Sequence, residues 1–374
     1  MGILDTIRDA LGGTAKASGG ASVIGIDIGS SAIKVVQMRQ SKGKAVLETY
    51  GELSLGPYIG TEVGRVTKLQ AQDLSNALMD LMKEANVTAR SAGVSIPFSS
   101  SLTSVVEFPQ VPAAKLKQMV PLEARKYIPV PMHEVMLDWL VIPNDQEEKE
   151  WSRARAQKSQ KLKAQTPKTE VLLVAIHNEV LNNYQAIATK GSLNVGFYEL
   201  EIFSTIRSSL GHGIAPMMIV DMGASSTKVY IVERGVVRSS HLINIGSQEM
   251  TLALTRAFGW NFERAERAKR EQGLEGEVRD TLLSTLGRIF TEVNRVLLSY
   301  EKKYGKDISR VVLSGGGSEL IGLSQYVQDK VPVNVSLSHP FEKITTPAFL
   351  EDVLKEVGPE FAVAVGVALR RLRS

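Results

Sequence analysis

Apolar and polar positions alternate with a period of two over several short runs of this chain, and recur at helical spacing between them, which predicts a mixed α/β fold. The clearest alternating run occurs twice. GIDIGSSAIKV, from Gly25 to Val35, returns as IVDMGASSTKV, from Ile219 to Val229, with the spacing D-x-G-x-S-x-x-K-V in both. Each copy reads as a strand, a tight turn of glycine and small hydroxylated residues, and a second strand opened by Lys-Val. Either copy alone reads equally as an ordinary hairpin with a Gly-Ser turn or as a phosphate-binding turn. The matched pair predicts a duplicated architecture of two lobes, since internal repetition reflects architecture.

Further strands are predicted over residues 44–55, 91–96, 102–108, 135–142, 171–176, 195–198, 236–244 and 308–313. Residues 72–86 carry Leu74, Ala77, Leu78, Leu81, Met82 and Ala85 on one helical stripe. Helices are also predicted over 113–127, where Pro121 starts a new first turn or kinks the helix, and over 178–190, capped by Asn178 and closed by Gly191. The remaining helices are 199–210, 247–258, 262–271, 278–303 and 319–330. Residues 145–168 are rich in Lys, Arg, Gln and Glu and read as a solvated excursion, with a basic docking arm as the alternative. The strand and helix order between about 87 and 191 suggests a small α+β module inserted into the first lobe.

Ile3, Leu4, Ile7 and Leu11 share a helical face at the N-terminus, where Asp5 and Asp9 rule out the basic n-region of a signal peptide. A short amphipathic helix followed by a linker to about residue 21 is expected there. The expected division is therefore 1–21, a first lobe over 22–214 with its insertion at about 87–191, and a second lobe over 215–374 with a helical part at about 256–307.

Composition narrows the function. With 43% hydrophobic and 22% charged residues the chain is that of an ordinary globular protein. A net charge of only +4 gives no support to nucleic-acid binding. No stretch approaches the ~20 apolar residues of a membrane span. The absence of cysteine removes disulfides and thiolate metal sites and fits a cytoplasmic setting, and the five histidines show no metal-ligand spacing.

The chemistry concentrates at the turns. Without bulky side chains, both D-x-G turns can let backbone N–H groups and hydroxyls approach a phosphate. Asp27, at the end of its strand, is placed to hold the water shell of Mg²⁺, which takes one or two carboxylates besides phosphate oxygens. Gly246-Ser247 opens a helix whose first amides suit an anion. Gly315, Gly316 and Gly317 follow a strand, and such a turn allows close approach of a flat ligand. Glu266 and Lys269, three apart on one helix, are a surface ion pair in the simplest reading. In the functional reading Glu266 accepts from ribose hydroxyls while Lys269 and Arg270 flank an adenine.

In this order, the two D-x-G hairpins, the ERAKR helix (266–270) and the VVLSGGGSEL turn (311–320) resemble the actin-like ATPase superfamily, over about residues 22–369. That resemblance implies a two-lobed fold built on ribonuclease H-like repeats, with an inserted α+β subdomain of the FtsA type. SAGVSIP (91–97), LTSVVEFP (102–109), VLLVAIH (171–177) and above all EARKYIPVP (123–131) are most similar to the PilM family of type IV pilus assembly. FtsA proteins usually close with a linker and an amphipathic helix, whereas this chain stops at Ser374, five residues past Leu369.

The resemblance implies ATP and Mg²⁺ as ligands. It assigns Asp27 to the magnesium and phosphate side, with Gly29, Ser30, Ser31 and Lys34 around the phosphates, and Asp221, Gly223, Ser225 and Ser226 on the opposing loop, with Gly246 behind them. Glu266, Lys269 and Arg270 hold the adenosine, and Gly315, Gly316 and Gly317 close over it. Asp27, Asp221 and Glu199 carry any hydrolysis, Glu199 by positioning water, although Glu201 is equally available. Gly246-Ser247 departs from relatives, which often have two glycines there.

The expected function is an ATP-binding cytoplasmic scaffold at the inner face of the cytoplasmic membrane. It would bind the N-terminal cytoplasmic peptide of a PilN-like inner-membrane protein as a function of nucleotide state, and contact the pilus motor ATPases. The membrane is reached only through partners, no nucleic acid is involved, and self-association stays open. The alternatives are an FtsA-like filament-forming division protein and a small-molecule kinase on the same fold. Turnover is at most slow.

Overall fold

The structure is a computed structural model and describes residues 21–142, 168–211 and 213–373. The N-terminal helix and linker, and most of the 145–168 excursion, lie outside the described residues. In chain order the strands are β1 (Ser22–Ile28), β2 (Ala32–Ser41), β3 (Lys44–Ser54), β4 (Ser91–Ile96), β5 (Ser101–Pro109), β6 (Val135–Val141), β7 (Lys168–His177), β8 (Asn194–Leu200), β9 (Met217–Met222), β10 (Thr227–Glu233), β11 (Val236–Ile243), β12 (Arg310–Ser314) and β13 (Asn334–Leu337). The α-helices are α1 (Ala71–Glu84), α2 (Ala113–Ala124), α3 (Asn178–Lys190), α4 (Glu201–Ser209), α5 (Ser247–Phe258), α6 (Phe262–Gln272), α7 (Arg279–Tyr304), α8 (Leu323–Gln328), α9 (Glu351–Glu356) and α10 (Ala362–Arg373).

The duplication in the sequence is a duplication of topology. One sheet runs β3-β2-β1-β4-β8 and the other β11-β10-β9-β12-β13. In each, a meander of antiparallel strands continues into two parallel ones. Both D-x-G hairpins keep one register: Asp27 pairs with Lys34 and Asp221 with Lys228. Both turns close alike, the Gly29 N–H donating to the Ala32 carbonyl and the Gly223 N–H to the Ser226 carbonyl.

Helices cover the sheets by the stripes that predicted them. α1 buries Ala77, Leu78, Leu81 and Met82 against the first sheet beside Ile187 of α3. α7 buries Leu282, Leu286, Ile289, Phe290 and Val293 under the second sheet, together with α5 and α6. Each of these side chains larger than alanine stabilises by roughly 1.5–3 kcal/mol on burial. α6 starts as its sequence demands, with Asn261 Oδ1 accepting the Arg264 N–H.

The third sheet, β5-β7-β6, packs against α2 around Val106, Phe108, Leu116 and Val120. It spans about 98–177, a narrower insertion than the expected 87–191, because β4 pairs with β1 and α3 packs on α1. α2 runs through Pro121, which is exposed, without a break. α3 starts without the expected Asn178 cap: Asn178 Nδ2 donates to the His133 carbonyl instead. Gly191 ends α3 at an ordinary φ of −73°, and the positive φ falls on Ser192.

Three other expectations give way. Residue 199 lies in β8, so the helix begins only at Glu201. The helix expected over 319–330 is a 3-10 turn, Gly316–Glu319, followed by the short α8. The C-terminal helix α10, expected with the second lobe, packs on the first sheet against β1, β2 and β4. α4 does the reverse, carrying Ile202, Phe203 and Ile206 onto Ile219, Tyr230 and Val312 of the second sheet. α4 and α10 cross at Gly366, where a Cβ would stand 2.0 Å from the Ser204 carbonyl oxygen. Among the described residues no helix is long and apolar enough to cross a membrane.

Candidate functional site

The two D-x-G turns face each other across a cavity of about 410 Å³, a volume suited to a nucleotide-sized ligand. Asp27, Gly29, Ser30, Ser31 and Lys34 line it from the first sheet, and Asp221, Gly223 and Ser225 from the second. Gly315, Gly316 and Gly317 form one wall, and Glu266, Lys269 and Arg270 of α6 another. Residues scattered over the chain are gathered there by the duplicated topology, each turn lying where β1 or β9 ends.

The floor is strongly charged. The Ser95 hydroxyl donates to Asp27 Oδ1 at 2.7 Å. Burial raises the pKa of Asp27, with Lys34 and that hydroxyl opposing it. Lys228 Nζ stands 3.1 Å from Glu201 Oε2 and 3.4 Å from Asp221 Oδ2. Glu201 also accepts the Phe98 N–H at 2.7 Å, and burial pushes its pKa up. Lys34, the counterpart of Lys228, turns instead to Glu52 at 3.0 Å and Glu360 at 3.7 Å. Burial disfavours its charge, but Glu52 and then Glu360 outweigh that and hold it protonated.

On α6, Glu266 and Lys269 are no surface pair. Glu266 Oε2 accepts from Lys269 Nζ at 2.7 Å and from the Thr251 hydroxyl at 2.5 Å, and Oε1 accepts from Arg270 Nε at 2.8 Å. Burial works against its charge, and these partners, Lys269 foremost, nevertheless hold its pKa low. Gly315 has φ +78°, and a Cβ there would stand 2.4 Å from Asp221 Oδ1, so only glycine lets this wall meet the turn.

Three sequence-derived assignments fail. Glu199 does not reach the cavity. It is fully buried and off the lining, with Arg207 on both carboxylate oxygens at 2.6 and 2.8 Å, so it cannot position a water there. Ser226 sits behind its turn, its carbonyl closing the hairpin. Gly246 lies outside the lining, and the α5 amides expected to be free are used: the Ser247 N–H donates to the Gly223 carbonyl and the Gln248 N–H to that of Ala224. A Cβ at Gly246 would stand 2.4 Å from the Ala224 oxygen, so this glycine serves packing.

Sequence reasoning also missed Lys228, Glu52, Glu319 and Glu360, all on the lining. Lys228 was discoverable, since it repeats Lys34. Glu319 was also discoverable, as part of the VVLSGGGSEL turn, but Glu52 and Glu360 carry no local signal: Glu52 comes from β3, and Glu360 from the turn before α10.

Comparison with known proteins agrees with this architecture. The solved PilM–PilN type IV pilus biogenesis complex contains a chain 24% identical to this one, with a TM-score of 0.77, covering 94% of this chain and 98% of that one. The ethanolamine utilization protein EutJ of Carboxydothermus hydrogenoformans superposes with a TM-score of 0.53 at 13% identity, over 95% and 92% of the two chains. The diol dehydratase-reactivating factor, solved in nucleotide-free form, also reaches 0.53, at 11% identity, over 95% and 100%. The fold is thus the two-lobed actin-like one. The family model for the type IV pilus assembly protein PilM matches residues 25–372, and this chain belongs to that family.

Proposed function

We propose that this chain is a nucleotide-dependent scaffold of type IV pilus assembly. It would bind ATP with magnesium between its lobes and the N-terminal cytoplasmic peptide of a PilN-like inner-membrane protein through the inserted sheet and the groove beside it. The carrying observation is the convergence of both D-x-G turns, the triple glycine and the Glu266 cluster on one cavity.

The donor set fits a magnesium nucleotide. Lys34 and Lys228 supply a cation from each lobe for the phosphates, and the small residues Ser30, Ser31, Ala224 and Ser225 leave room for them. Among the described residues no cluster of acidic or histidine side chains could hold a metal unaided. Magnesium would therefore arrive on the phosphates, with Asp27 and Asp221 on its water shell. When bound, the ion would screen phosphate charge beside these two carboxylates. Glu201, which is on the lining where Glu199 is not, would be the glutamate to orient a water. Glu266, Lys269 and Arg270 would hold the adenosine under Gly315–Gly317.

The nucleotide would act by favouring one arrangement of the lobes, and so one affinity for the peptide. In this reading α10 moves with the first lobe although it is the last element of the chain. The setting would be the inner face of the cytoplasmic membrane, with the pilus motor ATPases as further partners. Calorimetric titration of a PilN-like N-terminal peptide, with and without ATP-Mg²⁺, tests the reading. Binding that depends on nucleotide and weakens in Asp27→Ala and Asp221→Ala supports it. Loss of peptide binding together with ATP-dependent sedimentation into filaments would replace it with a filament-forming role.

A further inference from the structure

Between β3 and α1 the chain leaves the first sheet and passes along the cavity, reaching its lining at Gly64. Both ends of this crossing are fastened to the first D-x-G turn. The Leu55 N–H donates to the Ser31 carbonyl and the Thr67 N–H to the Ser30 carbonyl, both at 2.8 Å. Its middle rests on the other lobe. The Val66 N–H donates to Gln248 Oε1 of α5 at 2.6 Å, and the Arg65 guanidinium lies 4.5 Å from the centre of the Phe262 ring at the start of α6. Gly64 lines the cavity beside Glu266: a Cβ on it would stand 3.6 Å from that carboxyl carbon.

We propose that residues 60–67 form a strap that holds the cleft shut over its ligand, with Arg65 and Gln248 as the positioning residues that set how fast a nucleotide leaves. The proposal rests on the nucleotide reading of the cavity.

Three features argue for a releasable strap rather than fixed packing. Among the described residues the directional contacts to the second lobe are a hydrogen bond and a cation–π contact, each individually weak. Gly60 and Gly64 both take positive φ, +68° and +84°, so the segment bends at two residues that lack a Cβ. Leu55, Tyr58 and Leu69 root the crossing in the first lobe's core, whereas Val63, within residues 60–67, is 63% exposed and does not anchor the middle. The fastening to Ser30 and Ser31 supplies the coupling, since a shift of that turn on meeting a phosphate pulls both roots of the strap. The strap thereby links the phosphate side of the cavity to the α6 side that would hold the adenosine.

The test is release of a fluorescent ATP analogue from the full chain, chased with excess ATP in a stopped-flow instrument. Gln248→Leu removes the acceptor for Val66, Arg65→Ala removes the cation over Phe262, and Arg65→Lys keeps a cation. Gln248→Leu and Arg65→Ala should each speed release about fivefold, and Arg65→Lys should stay near wild type. Amide exchange over residues 60–67 should slow when the analogue binds. Variants that bind the analogue and release it at the wild-type rate, with exchange in the strap unchanged, overturn the strap and leave the nucleotide reading intact. A wild-type chain that does not bind the analogue overturns both. Arg65 is partly exposed, so its variants remain informative if Gln248→Leu fails to fold.

Discussion

Glu199 holds Arg207 through both carboxylate oxygens, at 2.6 and 2.8 Å, buried away from the cavity lining that the family resemblance assigned it to. The Ser204 hydroxyl donates to the same carboxylate and Arg370 of α10 approaches it at 3.3 Å. β8, α4 and α10 therefore meet at one charge. Burial alone would raise the pKa of Glu199, but Arg207, Arg370 and Ser204 together hold it below the usual carboxylate range. A lowered native pKa contributes stability that is present above the unfolded value and lost as pH falls through the native one. Glu199→Gln should cost roughly 3 kcal/mol at neutral pH, because it strands buried cations. The loss should shrink in acid and leave the affinity of folded protein for nucleotide unchanged. Thermal melts across pH and a nucleotide titration check this, and normal stability with loss of ATP hydrolysis alone would contradict it.

Lys228 separates two carboxylates, Asp221 and Glu201, that belong to different elements of the cavity floor. Burial opposes its charge, yet Asp221 and Glu201 drive its pKa well above the usual lysine value. Stability from such a raised lysine is complete below its unfolded pKa and is lost only as pH rises beyond it, so it is constant near neutrality. Lys228→Met leaves both acids unpaired. Glu201, whose pKa burial already raises, then takes a proton more readily. The variant should melt lower than wild type at pH 8, with the gap narrowing by pH 5, and should bind nucleotide at least tenfold more weakly, a loss of about 1.4 kcal/mol. Melting curves at the two pH values and a binding titration decide it.

Glu319 and Glu360 give the cleft an opposite pH dependence. Burial, reinforced by Glu360, pushes Glu319 up to about 8. Burial also pushes Glu360 up to about 7, with Lys34 opposing and Glu52 adding to the rise. In the native protein these groups bind protons that the unfolded chain has released, so stability falls as pH climbs from about 4.5 through 7 and 8. Glu360→Gln should flatten that slope and raise the melting temperature at pH 8 relative to wild type. A variant that melts with the wild-type slope between pH 5 and 8 would remove Glu360 as its source.

These sites show what the sequence could reveal. The duplicated hairpins were legible because strand alternation and turn residues are local signals, and repetition in a second copy made them specific. The stripes of α1 and α7 were legible for the same reason. The placement of Glu360 and α10 was not, since a helix at the end of the chain packs on the first sheet by a crossing that no local pattern encodes. Glu199 was misplaced by where β8 ends, one residue past it at Leu200. The carboxylate that faces the cavity is the first residue of α4, two positions on. The α5 amides look available in sequence because their partners, the carbonyls of Gly223 and Ala224, belong to another turn.

The inserted sheet is joined to the second lobe by contacts that offer a direct test of the whole arrangement. Thr103 Oγ1 of β5 and Ser240 Oγ of β11 lie 2.9 Å apart, at the edges of two different sheets. Beside them Glu170 of β7 accepts from Arg238 at 3.0 Å and from the Tyr304 hydroxyl at 3.1 Å. Because the chain has no cysteine, Thr103→Cys combined with Ser240→Cys introduces the only thiols. Side-chain atoms this close can be bridged with little backbone movement. The pair should oxidise under mild conditions, shift mobility on a non-reducing gel, and stabilise the protein by about 4 kcal/mol, as closure of a long loop does. Reduction should remove this gain. If the lobes move with nucleotide while the insert stays fixed to the first, ATP-Mg²⁺ should change the rate at which this disulfide forms. If the insert travels with the second lobe, the rate should be indifferent to nucleotide, and the Arg238–Glu170 pair should be what carries the insert along. Glu170→Gln in the cysteine pair separates these outcomes, because it should restore a nucleotide-dependent rate only in the second case.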